Sequence, residues 1–134
     1  MLRAPINELS YRQDGLYYFN NEPFTGVAVE MLENGHIKTE IEHRNGLQWG
    51  GAKEWYGPDR PMVESNFFEG VLHGRAREWH ENGQIAEDGE YEYGITIWKK
   101  HWDENGVLVK EYSIDESDPR FQRVLQRRII YGRS

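Results

Sequence analysis

The chain has 134 residues and no cysteine. That absence excludes a disulfide framework, a thiolate nucleophile and a cysteine metal site, and it agrees with a reducing compartment. No stretch approaches the roughly 20 apolar residues of a membrane span, and Met1 to Glu8 lacks the apolar run of a signal peptide. A cytoplasmic protein without an integral membrane segment is expected. The glycines follow neither G-x-G-x-x-G nor G-x-x-x-x-G-K spacing, and G-x-S-x-G is missing. His36, His43, His73, His80 and His101 show neither H-x-H nor H-E-x-x-H spacing, so they read as surface histidines and not as metal ligands. Acid pairs such as Glu87-Asp88 have no neighbour in sequence that would separate their pKa values. No catalytic residue, metal or cofactor is assigned, and an enzyme is not expected.

Basic residues are scarce in the body and acids are missing from the tail. Residues 1–118 hold all 23 Asp and Glu against 11 Lys and Arg, a balance of −12, while residues 119–134 carry five Arg and no acid. An acidic body argues against nucleic-acid binding by the repeats, because phosphate contacts need cations, so no nucleic-acid partner is expected, and it suits a basic protein.

What is present is a period. Gly26, Glu30, Met31 and Gly46 return 24 residues on as Gly50, Glu54, Trp55 and Gly70, and again as Gly74, Glu78, Trp79 and Gly94. Within each unit an alternating run, a turn and a second alternating run describe a β-hairpin. Asn34-Gly35, Asn82-Gly83 and Asn105-Gly106 supply turns that tolerate positive φ. The second unit carries Gly57-Pro58-Asp59-Arg60-Pro61 there, which predicts a wider loop. A fourth, incomplete unit runs from Ile97 to Ile114. Met1 to Ser10 reads as an irregular lead-in and residues 11–25 as an opening hairpin. The fold class is thus mainly β, an elongated meandering sheet of antiparallel hairpin repeats over residues 26–114, in a single domain of residues 1–134.

Alternation sorts the side chains. Glu30, Glu54 and Glu78 share one parity on the first strands, and Glu40, Glu64 and Asp88 share one parity on the second, so a wet, acidic face is expected. Solvation alone accounts for such a face, and a single-sign potential that attracts a cationic partner is the sharper reading. Trp55, Trp79 and Trp102 recur just before the turns and read as a stacked core. Trp49 and Trp98 flank the unit boundaries and are candidate interface anchors. Asp118 and Pro119 open an amphipathic helix over residues 117–130. Its Phe121, Val124, Leu125 and Ile129 face one way and its arginines the other. A lid over the last strand is expected of it, in preference to a membrane-surface element.

The element Asn21-Glu22-Pro23-Phe24-Thr25-Gly26, the Trp before an E-N-G turn, and the closing glycines Gly46, Gly70 and Gly94 resemble the MORN-variant repeat proteins of bacteria, the group named for the YwqK antitoxin. The resemblance covers about Asp14 to Tyr112. It implies a binding protein, commonly one that neutralises a cognate secreted toxin of nuclease or deaminase type, and it supplies no catalytic residue. The sequence departs from the pattern at the Pro-rich turn, at the fourth unit and in the basic helix. The expected function is an antitoxin or immunity protein that meets a basic toxin through Glu30, Glu54, Glu78, Glu40, Glu64 and Asp88, with Trp49 or Trp98 as anchors. The alternative is a protein-interaction scaffold that self-associates, as a homodimer, through an open sheet edge.

Overall fold

The computed structural model describes residues 1–132. The strands in chain order are β1 (Arg3–Pro5), β2 (Ser10–Tyr11), β3 (Tyr17–Phe19), β4 (Glu22–Pro23), β5 (Gly26–Met31), β6 (Ile37–Arg44), β7 (Leu47–Gly57), β8 (Arg60–Phe68), β9 (Val71–Leu72), β10 (Gly74–Trp79), β11 (Ile85–Glu92), β12 (Ile95–Trp102) and β13 (Leu108–Ser113), followed by helix α1 (Pro119–Ile130). Ten of them form one sheet in the order β1-β5-β6-β7-β8-β10-β11-β12-β13, with β9 on β8, and β2-β3-β4 make a smaller sheet. From β5 onward each strand pairs antiparallel with the next along this path, as hairpin repeats require.

Two turn types alternate along the array. At one end Gly35, Gly83 and Gly106 adopt φ of 86°, 89° and 84°. Asn34 and Asn82 accept hydrogen bonds from the amides two residues on, at 3.0 Å each. The ladder shifts register beside each of these turns, so each is a bulged three-residue loop. At the other end Asn45-Gly46, Glu69-Gly70 and Tyr93-Gly94 place both residues at positive φ, the signature of type I′ turns. Their glycine amides donate to the carbonyls of Phe24, Gln48 and Leu72 at 2.8, 2.9 and 2.7 Å. The 24-residue period of the sequence is thus a period of hydrogen bonds.

Four expectations are corrected. The Pro-rich second turn is tight and not wide, because Gly57 pairs directly with Arg60 and Asp59 takes the positive φ, 57°, that a two-residue turn needs. The lead-in is not irregular, since Arg3–Pro5 adds to β5 as a parallel strand. Ala4 there is 1% exposed and packs with Phe24 and Ala28, with Ile6, Leu9, Phe19 and Ile41 against them. Trp55, Trp79 and Trp102 are half-buried and no ring pair joins them among the described residues. A single-layer array offers no second sheet to cover them, and the successive units are tied instead through Tyr56 Oη to the Trp79 carbonyl (2.8 Å) and His80 Nε2 to the Trp102 carbonyl (2.9 Å). Finally, α1 does not cover β13, all six residues of which are exposed, and it touches that strand through Arg120, which donates to Tyr112 Oη at 3.1 Å.

The helix starts as its sequence predicts, with Asp118 as N-cap accepting from the Arg120 amide at 2.9 Å and Pro119 in the first turn. It caps the type I′ end of the sheet. Arg128 makes a two-pronged contact with Glu92, 2.8 Å from its Nε, Tyr131 Oη donates to Glu69 at 2.9 Å, and the Tyr131 ring stacks on Tyr93 with centroids 5.5 Å apart. Acids at the tight turns draw the basic helix there.

Candidate functional site

Cross-strand register decides which carboxylates share a face, because opposed residues of an antiparallel ladder project to the same side. Glu40 opposes Lys53, Lys53 opposes Glu64, Glu64 opposes Arg77, Arg77 opposes Asp88, and Asp88 opposes Lys100. Glu30 opposes Thr39, Thr39 opposes Glu54, Glu54 opposes Val63, Val63 opposes Glu78, and Glu78 opposes Glu87. The six carboxylates therefore do not form one acidic face. Glu40, Glu64 and Asp88 lie on one side and Glu30, Glu54 and Glu78 on the other, since adjacent residues of a strand point oppositely.

The first side is a ladder of alternating charge. Arg3 reaches Glu40 at 2.7 Å, Lys53 reaches Glu64 at 3.8 Å, and Asp88 holds both Arg75 (2.6 Å) and Arg77 (3.5 Å). Trp98 belongs to this ladder face. Its indole N–H donates to Glu90 at 3.0 Å and the Arg75 guanidinium lies over its ring at 5.0 Å. Trp49 is covered in the same manner by Arg44, 4.5 Å away, and packs edge-on against Phe68. Both are half-buried, so neither is a free apolar anchor.

The second side has small residues where the ladder face has long ones. Ala28, Ala52 and Gly89 are buried there, and Val63, Ser65, Leu72, Ala76, Gly89 and Tyr91 line a groove of about 330 Å³ with Glu78 and Glu87 at its edge. Lys38 stands 3.8 Å from Glu30, and Lys99 and His101 stand 3.3 and 3.7 Å from Glu87. No ion pair holds Glu54 or Glu78 among the described residues. Burial, with Glu87 opposite and Glu54 beyond, pushes the Glu78 carboxyl above the usual glutamate value. Of the six carboxylates, Glu54 and Glu78 are thus the two without an ion pair among the described residues, and both stand on the groove face. Sequence reasoning missed Glu87 as a member of this set. The Asn82-Gly83 turn carried the signal, since a hairpin closed there sets Glu87 against Glu78.

The histidines are structural and not all superficial. His43 is 6% exposed, between Tyr17 and Phe24, which corrects its reading as a surface residue. Its Nδ1 lies 3.0 Å from the Ile41 carbonyl. His73 Nδ1 accepts from the Tyr93 amide at 3.0 Å. No group of three or more His, Asp or Glu side chains is arranged to hold a metal among the described residues.

The pattern described as MORN repeat variant matches residues 72–93, the unit that contains the Glu78–Glu87 pair. The chain is 38% identical over 109 residues to "Immunity protein YwqK" of Bacillus subtilis (strain 168), across 81% of this chain and 71% of that protein. No solved structure matches it. Identity of that degree over most of both chains, joined to the hairpin array that its period demands, places this protein in the YwqK family of MORN-variant repeat proteins.

Proposed function

We propose that this chain is an immunity protein that binds a cognate toxin in the cytoplasm and blocks its working surface without catalysing a reaction. The observation that carries the reading is the 38% identity over 81% of the chain to a protein named for immunity. The groove face supports it. Glu54 and Glu78, with Glu87 opposite Glu78, present carboxylates that repel one another and that a cationic partner would relieve. A basic toxin, such as one that grips nucleic acid, carries such a surface, and an acidic face competes with phosphate for it. Glu40, Glu64 and Asp88 are secondary in this account, because their ion pairs have to open before they can serve a partner.

The test is co-expression of this chain with candidate toxins, any secreted toxin encoded next to its gene first, and growth of the cells is the readout. The wild-type chain restores growth, the double variant Glu54→Lys/Glu78→Lys does not, and Glu40→Lys/Glu64→Lys keeps most of the protection. Equal protection by all three overturns the groove face. Failure of the wild-type chain to protect overturns the immunity reading itself.

A further inference from the structure

Among the described residues strand β13 ends the sheet with one edge unpaired, and all six of its residues are exposed, with Tyr112 Oη accepting a hydrogen bond from Arg120 of α1 at 3.1 Å. On its inner side Lys100 opposes Glu111 and His101 opposes Lys110. The Ile114 amide donates to the Ile97 carbonyl at 2.8 Å. The alternation of an antiparallel ladder therefore turns the backbone of Tyr112 and Lys110 inward and leaves the N–H and C=O of Glu111 and Ser113 facing out. The side chains of this edge continue the rows behind it. On the ladder face the series Glu40, Lys53, Glu64, Arg77, Asp88, Lys100 alternates in sign and stops at Glu111, whose side chain is 59% exposed. On the groove face the row stops at Lys110. The next position calls for a cation on one face and an anion on the other.

We propose that β13 is a docking edge for an extended segment of a different chain, which adds an antiparallel strand to the sheet. That strand carries Lys or Arg opposite Glu111, Asp or Glu opposite Lys110, and apolar residues opposite Leu108, Val109 and Tyr112. A second copy of this chain fails the requirement on symmetry alone. Two copies related by a two-fold axis and joined edge to edge keep the same face upward, so opposed residues have equal parity. Lys110 then meets Leu108, Lys110 or Tyr112 of the other copy, and never its Glu111. Lysine on an edge guards against promiscuous pairing, and here the adjoining Glu111 makes the guard selective. This inference rests on β13 alone and not on the toxin reading.

The experiment is an NMR titration of the full chain with the end-blocked peptide Thr-Val-Lys-Glu-Val-Ile, against the charge-swapped peptide Thr-Val-Glu-Lys-Val-Ile. The matched peptide shifts the amides of residues 108–113, slows exchange of the Glu111 and Ser113 N–H groups, and binds about fivefold tighter than the swapped one. In the variant Lys110→Glu/Glu111→Lys, altered at two exposed positions, the preference reverses. Equal binding of both peptides, shifts confined to other strands, or no shift at β13 up to the peptides' solubility would overturn the proposal. So would a concentration-dependent dimer of the free chain that protects the β13 amides.

Discussion

His43 and Gly46 show how single residues carry the joint between the opening segment and the array. His43 fills the space between the Tyr17 and Phe24 rings, and burial holds its pKa below the ordinary 6.5. The folded state thus keeps the ring neutral while the unfolded chain takes up a proton, so its contribution to stability is complete above pH 6.5 and is lost as pH falls toward the lowered value. Thermal unfolding followed from pH 7.5 to pH 5 should show this decline, and His43→Phe, which keeps the ring packing, should flatten it. Gly46 answers to space as well as to backbone. At φ 84° a Cβ would stand 2.9 Å from the Leu16 Cβ and 3.1 Å from the Tyr17 carbonyl oxygen, whereas Gly83 at φ 89° has nothing within 4 Å. Gly46→Ala is expected to cost about 3 kcal/mol and Gly83→Ala about 1 kcal/mol in urea unfolding, the difference being the clash. Both glycines were legible from the period. The burial of His43 was not, although it shares strand parity with Ile41, because nothing local shows that Tyr17 and Phe24 fold back over it.

At the scale of elements, turns were more legible than edges. Asn-Gly pairs announced three hairpins, yet Glu69 and Tyr93 hold positive φ only because their glycine neighbours and the repeat impose a type I′ turn. The opposite error at Pro58-Asp59 came from counting two prolines as a wide loop, when Pro58 sets the first φ of a tight one. The helix was legible as a helix and not in its placement, since its arginines choose among many acids. Its docking makes two predictions. Arg128→Ala removes the two-pronged contact with Glu92 and should raise amide exchange over the last two turns of α1 while the sheet amides stay protected. The Arg120 guanidinium and amide hold the Asp118 carboxyl down at about 2. A depressed acid stabilises above its unfolded value of 3.8 and loses that effect on descent toward 2, so helical content should fall in that window and Asp118→Asn should blunt the pH dependence.

For the whole molecule, the decisive quantity is register. Parity within a strand separates Glu54 from Lys53, but no single strand says which parity of the next strand it meets. The sequence therefore predicted acidity correctly in amount and wrongly in place. Once the strands pair, Glu40, Glu64 and Asp88 are neutralised in a charge ladder, and Glu30, Glu54 and Glu78 stand on the groove face. Desolvation and the facing Glu87 hold the Glu78 carboxyl above its ordinary value there. A carboxyl whose folded pKa is raised lowers stability at neutral pH, and the penalty disappears on acidification through that raised value, complete below the unfolded 4.5. Glu78→Gln should thus raise the urea midpoint at pH 7 and leave it unchanged near pH 4, while weakening toxin binding.

The measurement closest to the central claim is calorimetric titration of the cognate toxin into the wild-type chain and into Glu54→Lys/Glu78→Lys, each at low and high salt. The account predicts tight wild-type binding that weakens with salt, and a variant that binds at least about tenfold more weakly at low salt, with the gap narrowing as salt rises. Wild-type affinity indifferent to salt and equal to that of the variant would contradict it.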